Sequence, residues 1–82
     1  MILVIEVKQK HIKNGRPSKL GECAIALAIS DKLGCNNVMV GLIVARVGEN
    51  YYGLPRSARR FITKFDKNKK DCKPFNFKLD VR

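Results

Sequence analysis

The chain has 82 residues, enough for one small domain with a modest core. Its apolar share of 45% is too high for a disordered chain, and no apolar run reaches the roughly 18 residues that span a bilayer. Its 17 basic and 7 acidic residues give a net charge of +10, which predicts an anionic partner such as nucleic acid, a nucleotide, an acidic protein or anionic lipid.

The cysteines indicate a reducing compartment. There are three, an odd number, and no secretory signal precedes them, because the apolar start at residues 1–7 lacks a basic region and a cleavage site. We therefore expect a cytoplasmic protein that forms one domain over residues 1–82.

The first predicted elements are a strand and a helix. Residues 1–12 begin with a continuous apolar, β-branched run and predict a strand. Residues 14–17, Asn-Gly-Arg-Pro, predict a loop. Ser18 is a candidate N-cap for a helix that runs to Leu33 and stops at Gly34.

This first helix is apolar on nearly all sides. Its middle, residues 23–29, has no polar side chain, and Ile25, Ile29 and Leu33 share one face. Such a helix is buried on more than one side. Either a second copy covers it, which predicts a homodimer, or the sheet and the chain's own loops enclose it. The sequence leaves both possibilities open.

The second half predicts two strands, a helix and a closing strand. Residues 38–47 are apolar on both faces and predict one long strand, followed by a hairpin turn at 48–50 and a short return strand at 51–54. A helix is predicted over 54–67. Residues 75–82 alternate between apolar and polar side chains, which is typical of a half-buried strand.

The predicted order is therefore β-α-β-β-α-β. Right-handed crossovers allow few topologies for this order. We expect an α+β fold, either a ferredoxin-like sandwich or a similar small mixed sheet with two helices.

The helix at 54–67 has two unlike faces. Ala58, Phe61, Ile62 and Phe65 recur at the spacing of one apolar stripe, and the opposite face is basic. Arginines suit bidentate phosphate contact, so this face predicts binding to nucleic-acid phosphates. The alternative is a solvated face that binds nothing specific. The cations of the face are Arg56, Arg59, Arg60, Lys64 and Lys67.

A second basic tract lies at residues 8–19, which contain no acid. It ends at a predicted helix N-terminus, where an anion is favoured, although a flexible loop is the alternative interpretation. For His11, a plain surface role is the alternative. Of the adjacent Tyr51 and Tyr52, one would join the core and the other could stack on a base. The candidate contacts are Lys10, His11, Lys13, Arg16, Lys19 and Tyr52.

No motif for catalysis or metal binding appears. Phosphate-binding glycine motifs are absent, and His11 with three cysteines lacks the closely spaced pairs of structural zinc sites. Cys72 lies among lysines that would lower its pKa, but no general base accompanies it. We predict a non-enzymatic binding module without cofactor or metal.

Four stretches of the chain carry motifs. Residues 11–15 match His-Ile-x-x-Gly, and residues 23–28 match Cys-Pro-[Val/Ile]-Ala-Leu-Ala, with Ala24 in place of the proline. Residues 54–66 match Leu-Pro-x-x-Ala-x-x-Phe-Ile-x-x-Phe-Asp, and residues 74–79 match Pro-Phe-x-Phe-x-Leu. Together these stretches resemble a family of small phage proteins that has no assigned activity.

The resemblance implies a phage or prophage origin and life inside a bacterial host cell. It suggests an alternative to nucleic-acid binding, in which a phage accessory (counter-defence) protein docks on an acidic host protein or sequesters an anionic nucleotide.

Overall fold

The computed structural model describes residues 1–81, which form two antiparallel sheets and three α-helices. The strands are β1 (Ile2–Val7), β2 (Val38–Val40), β3 (Val44–Val47), β4 (Asn50–Gly53) and β5 (Phe75–Asp80). The helices are α1 (Gln9–Asn14), α2 (Ala24–Leu33) and α3 (Arg56–Lys67), followed by a 3-10 turn at Lys69–Asp71. Arg82, predicted as the end of the last strand, lies outside the described residues.

The predicted α+β class is confirmed, and the structure takes the form of a small mixed fold. Strands β1 and β5 pair as one sheet, while β2, β3 and β4 form a separate meander. The two sheets come close where β4 passes β5, and α2 packs on β1 and β2. The order is β-α-α-β-β-β-α-β, so it contains one helix and one strand more than the prediction.

The start of the chain differs from its prediction. The strand stops at Val7, and α1 follows with Lys8 as its N-cap. Helix α2 begins at Ala24 instead of after Ser18, and the Cys23 thiol accepts the Ala26 amide at 3.5 Å as its cap. Ser18 is not the N-cap, because it has a left-handed φ of 62°, whereas an N-cap residue is extended.

The single strand predicted over residues 38–47 is wrong. The segment folds back on itself, and the Gly41 amide donates to the Val44 carbonyl at 2.8 Å to close the turn between β2 and β3. Val38, Val40 and Ala45 then all lie buried on the inner face of the meander. The continuous apolar run reflects two short strands and an exposed apolar turn.

The apolar helix is enclosed by its own chain. Ile25 and Ile29 are fully buried, and α1, β1 and β2 pack around them. The interpretation that the helix is enclosed within one chain is confirmed, so the reason for expecting a second copy at this helix no longer holds. None of the helices formed by residues 1–81 is long and apolar enough to cross a membrane.

Helix α3 joins the core through its apolar stripe, as predicted. Ala58, Ile62 and Phe65 are buried with Phe61, whose ring stacks on that of Phe75 with centroids 4.8 Å apart. This aromatic contact attaches the helix to β5 and fixes which of its faces meets solvent.

Candidate anion-binding site

The basic face of α3 is exposed because the apolar stripe binds the opposite face to the core. Pro55 is the N-cap, and the Asn68 amide ends the helix by donating to the Lys64 carbonyl. Among residues 1–81, no carboxylate forms an ion pair with a cation of this face. All five predicted side chains are exposed, namely Arg56, Arg59, Arg60, Lys64 and Lys67.

A groove of about 300 Å³ runs between α3 and the segment that leads into β5. Ser57, Arg60 and Lys64 line it from the helix, since residues spaced by three and four share one side. Lys73 lines it from the opposite segment, and Phe61, Cys72, Pro74 and Phe75 complete the lining. We call this the α3 groove. It brings three cations and one hydroxyl together without a lining carboxylate.

The cysteines of the core are not activated. Burial raises the pKa of the Cys72 thiol, and this outweighs the attraction from the Lys64 ammonium. The sequence predicts a lowered pKa for Cys72, whereas in the fold this pKa is raised. Burial also raises the pKa of Cys23, which is buried as expected for a small core residue. Neither thiol favours the thiolate form that nucleophilic chemistry needs.

The tract at residues 8–19 is less basic than its sequence suggests, because the fold brings acids to it. The pairs are Lys8 with Glu6 at 3.9 Å, Lys10 with Asp31 at 3.3 Å, and Arg16 with Glu22 at 3.9 Å. Lys13 and Lys19 are exposed and have no ion pair within residues 1–81. The tract thus contributes fewer free cations than α3 does.

Two contacts fasten this tract to the end of α3. The Lys69 ammonium donates to the carbonyls of Lys13 and Gly15, at 2.7 and 2.8 Å. The Asp66 carboxylate accepts the Ser18 amide at 2.9 Å. The backbone that carries the second half of the tract therefore lies beside the C-terminal end of α3, and the two predicted basic regions are neighbours.

His11 does not belong to the exposed basic surface. It is 4% exposed; Nδ1 accepts the Lys8 amide at 2.9 Å, and Nε2 lies 2.5 Å from Asp31 Oδ2. Because Nδ1 is an acceptor, we assign the ring proton to Nε2, which donates to Asp31. The ring is buried, so the surface role predicted as an alternative for His11 is wrong. Both ring nitrogens already have partners, so neither is free to contact an anion.

His11 instead organises the start of α1. It occupies the third helical position and accepts the amide of the N-cap residue, as Glu or Gln does in a capping box. Its bond to Asp31 ties α1 to α2. The His11 bond, together with the nearby Lys10 ammonium, lowers the pKa of Asp31.

The exposed tyrosine is Tyr51, not the predicted Tyr52. Tyr52 lies opposite the buried Ala45 and packs against the core, while Tyr51 is 66% exposed and lies opposite Arg46. The strand alternation predicts that the two rings lie on opposite faces, but it does not determine which ring faces the core. Because Tyr52 packs against the core, it is not available to stack on a base.

Sequence reasoning missed Ser57 and Lys73 as members of the groove. Ser57 carries no charge signal, although its position three residues before Arg60 puts it on the same side of α3. Lys73 is nine positions beyond Lys64 and reaches the groove only because the chain turns back into β5. No local pattern predicts that return.

The functional argument for this chain rests on its charge and geometry. Within residues 1–81, no three His, Cys, Asp or Glu side chains are grouped to hold a metal ion. Searches against protein-family models, curated protein sequences and solved structures find no match to this chain.

Proposed function

We propose that the chain is a non-enzymatic binding module that contacts nucleic-acid phosphates through the α3 groove. The observation that carries this proposal is the convergence of Arg60, Lys64 and Lys73 beside the Ser57 hydroxyl, without a carboxylate in the lining. Cations that line one groove repel one another, and a bound phosphate relieves that repulsion.

Each side chain has a distinct part in the proposed contact. The Arg60 guanidinium presents paired N–H donors that match two phosphate oxygens, while the two ammonium groups act as point charges. Because α3 has 12 residues, it is about 18 Å long. The remaining cations along it, Arg56, Arg59 and Lys67, bind neighbouring phosphates of the same strand. Such contacts select for charge and give little sequence preference.

The test compares two double charge reversals that lower the net charge by the same amount. Arg60→Glu with Lys64→Glu changes the groove, while Lys32→Glu with Lys78→Glu changes exposed lysines outside it. Affinity for a labelled duplex oligonucleotide is measured by fluorescence anisotropy over a range of salt concentrations. We expect the groove variant to lose at least about tenfold in affinity and its salt slope to fall by about 2, since each phosphate contact contributes about 0.9.

The control variant should keep most of the affinity and the slope of the wild type. Equal losses in the two variants would mean that net charge alone drives the binding, and would overturn the groove as the site. Binding that does not respond to salt would overturn phosphate contact altogether.

A second candidate follows from the size of the groove and from the phage resemblance. About 300 Å³ lies at the lower end of small-molecule sites, which suits one anionic nucleotide. In this version the chain is a phage accessory protein in the cytoplasm of a bacterial host, which sequesters that nucleotide or docks on an acidic host protein. A thermal shift with cyclic nucleotides and none with DNA would favour it over the first proposal.

A further inference from the structure

One edge of β1 has unpaired backbone groups. The Met1 nitrogen donates to the Val81 carbonyl at 3.2 Å, and the Val81 amide donates to the Met1 carbonyl at 2.7 Å. Hydrogen-bonded pairs alternate along an antiparallel ladder, so the N–H and C=O groups of Ile2, Val4 and Glu6 point away from β5. Within residues 1–81, β5 is the only strand beside β1. We call these outward groups the open edge of β1.

The open edge has few of the features that usually prevent strands from pairing, and Glu6 is its one charged residue. Residues 1–5 contain no charged side chain, proline or bulge. Ile2 is 62% exposed and Val4 is 45% exposed, so apolar side chains accompany the unpaired backbone groups. A six-residue edge of this kind is a template for another strand.

We propose that the open edge pairs with the same edge of a second copy of this chain, antiparallel about a two-fold axis at Val4. The two β1–β5 sheets then join into one four-stranded sheet, with the two β1 strands at its centre. The interface is isologous, because the same residues serve on both sides.

The register pairs apolar side chains around the two-fold axis. About a two-fold axis at Val4, that residue faces its own copy, Ile2 faces Glu6, and Leu3 faces Ile5 on the inner side of the sheet. Leu3 is only half-buried in one chain, and the pairing extends its apolar surroundings. The cross-strand contact of Val4 with Val4 covers β-branched side chains that are otherwise exposed.

Charge favours a second copy at this face. Two chains of +10 repel each other over most of their surfaces. Among residues 1–81, the exposed face of the β1–β5 sheet carries Glu6 and Asp80, which pair with Lys8 and with the Met1 ammonium, and one further cation, Lys78. Two identical chains therefore meet here with less repulsion than at the α3 face, where none of the five cations forms an ion pair within residues 1–81.

The test is the oligomeric state of nuclease-treated protein, measured by sedimentation velocity from micromolar to millimolar concentration. We expect the wild type to change from monomer to dimer as its concentration rises, and the dimer to strengthen with salt. This salt response is opposite in sign to that of phosphate binding, so the two proposals can fail separately.

Val4→Lys should abolish the dimer, because it brings two like charges together at the two-fold axis; within one chain it also lies opposite Lys78. Asn76→Lys is the control for the added charge, since it lies on the same sheet face but on β5, opposite Glu6. Val4→Pro removes an amide that points away from β5, so no hydrogen bond of the β1–β5 ladder is lost while the pairing with a second copy is blocked. Circular dichroism checks the fold of each variant.

A wild type that stays monomeric at every concentration and salt level would overturn the proposal. So would a dimer that survives Val4→Lys or Val4→Pro, or one that Asn76→Lys weakens equally.

Discussion

Position 15 requires a glycine because there is no room for a side chain, and not because of its backbone conformation. Its φ is −72°, which any residue adopts, but an added Cβ would lie 2.7 Å from both the Ala24 nitrogen and the His11 carbonyl oxygen. Both atoms belong to the backbone of helix ends, so neither can move aside alone. The end of α1 and the start of α2 approach this closely only because residue 15 has no side chain.

Gly15→Ala should therefore lower the free energy of unfolding by about 1–3 kcal/mol, the usual cost of an overpacked site. The midpoint of thermal unfolding should fall by roughly 4–8 °C per kcal/mol. Gly53→Ala is the control, because nothing lies within 4 Å of its added Cβ and its φ is not positive. We expect that variant to change stability by less than about 0.5 kcal/mol. Equal stability of the two variants would contradict the steric argument.

Asp31 makes a pH-dependent contribution to stability. Its pKa lies below the ordinary value, first because His11 donates to it and then because Lys10 is close. The carboxylate therefore stabilises the fold above about pH 4, the usual pKa of an unfolded aspartate, and this contribution disappears as pH falls through the lowered native pKa. Because the side chain is 55% exposed, solvent screening keeps the effect small.

Asp31→Asn should consequently be less stable than the wild type at neutral pH, with a difference that narrows in acid. Urea unfolding midpoints from neutral pH down to pH 3 measure this, and Glu49→Gln serves as the control, because it removes an exposed carboxyl on another element. A difference between Asp31→Asn and the wild type that stays constant with pH would contradict the proposed linkage.

At the scale of elements, the sequence predicts those whose pattern is local. The stripe of α3 and the alternation of β5 each follow from a single period, and the observed burial has that period. The Ser18 cap fails because Ser18 has a left-handed φ of 62°, whereas an N-cap residue is extended. Helix α1 was missed because its cap depends on His11, whose burial requires α2.

In the candidate site, too, the sequence predicts the residues that lie within one segment and misses those that other elements supply. Arg60 and Lys64 could be predicted because charge and helical spacing lie within one segment. Lys73 and the acids that pair with the 8–19 tract come from other elements, so composition could show neither the added cation nor the partial neutralisation. A linear run of like charge therefore overstates a basic surface until its tertiary neighbours are known.

At the scale of the whole molecule, the excess of cations opposes folding. The ion pairs among residues 1–81 join side chains that are mostly exposed, so each contributes little, while the net charge of +10 acts over the entire surface. Salt should therefore raise the thermal midpoint by screening repulsion. Most of the gain should come by about 0.15 M, where the screening length falls to about 8 Å.

Anion type separates this general screening from binding in the α3 groove. At matched ionic strength, sodium sulfate should raise the midpoint further than sodium chloride, since an anion that binds the native state adds stability as its concentration rises. Sulfate also stabilises proteins by exclusion from their surfaces, so the informative quantity is the difference between variants.

Arg60→Glu with Lys64→Glu should reduce the extra gain from sulfate, whereas Lys32→Glu with Lys78→Glu should keep it. Differential scanning calorimetry of both variants and the wild type measures the effect. If sulfate acted equally on all three proteins, it would be acting by exclusion alone, and the groove would hold no anion. A midpoint that fell with added chloride would contradict the view that repulsion limits the stability of this chain.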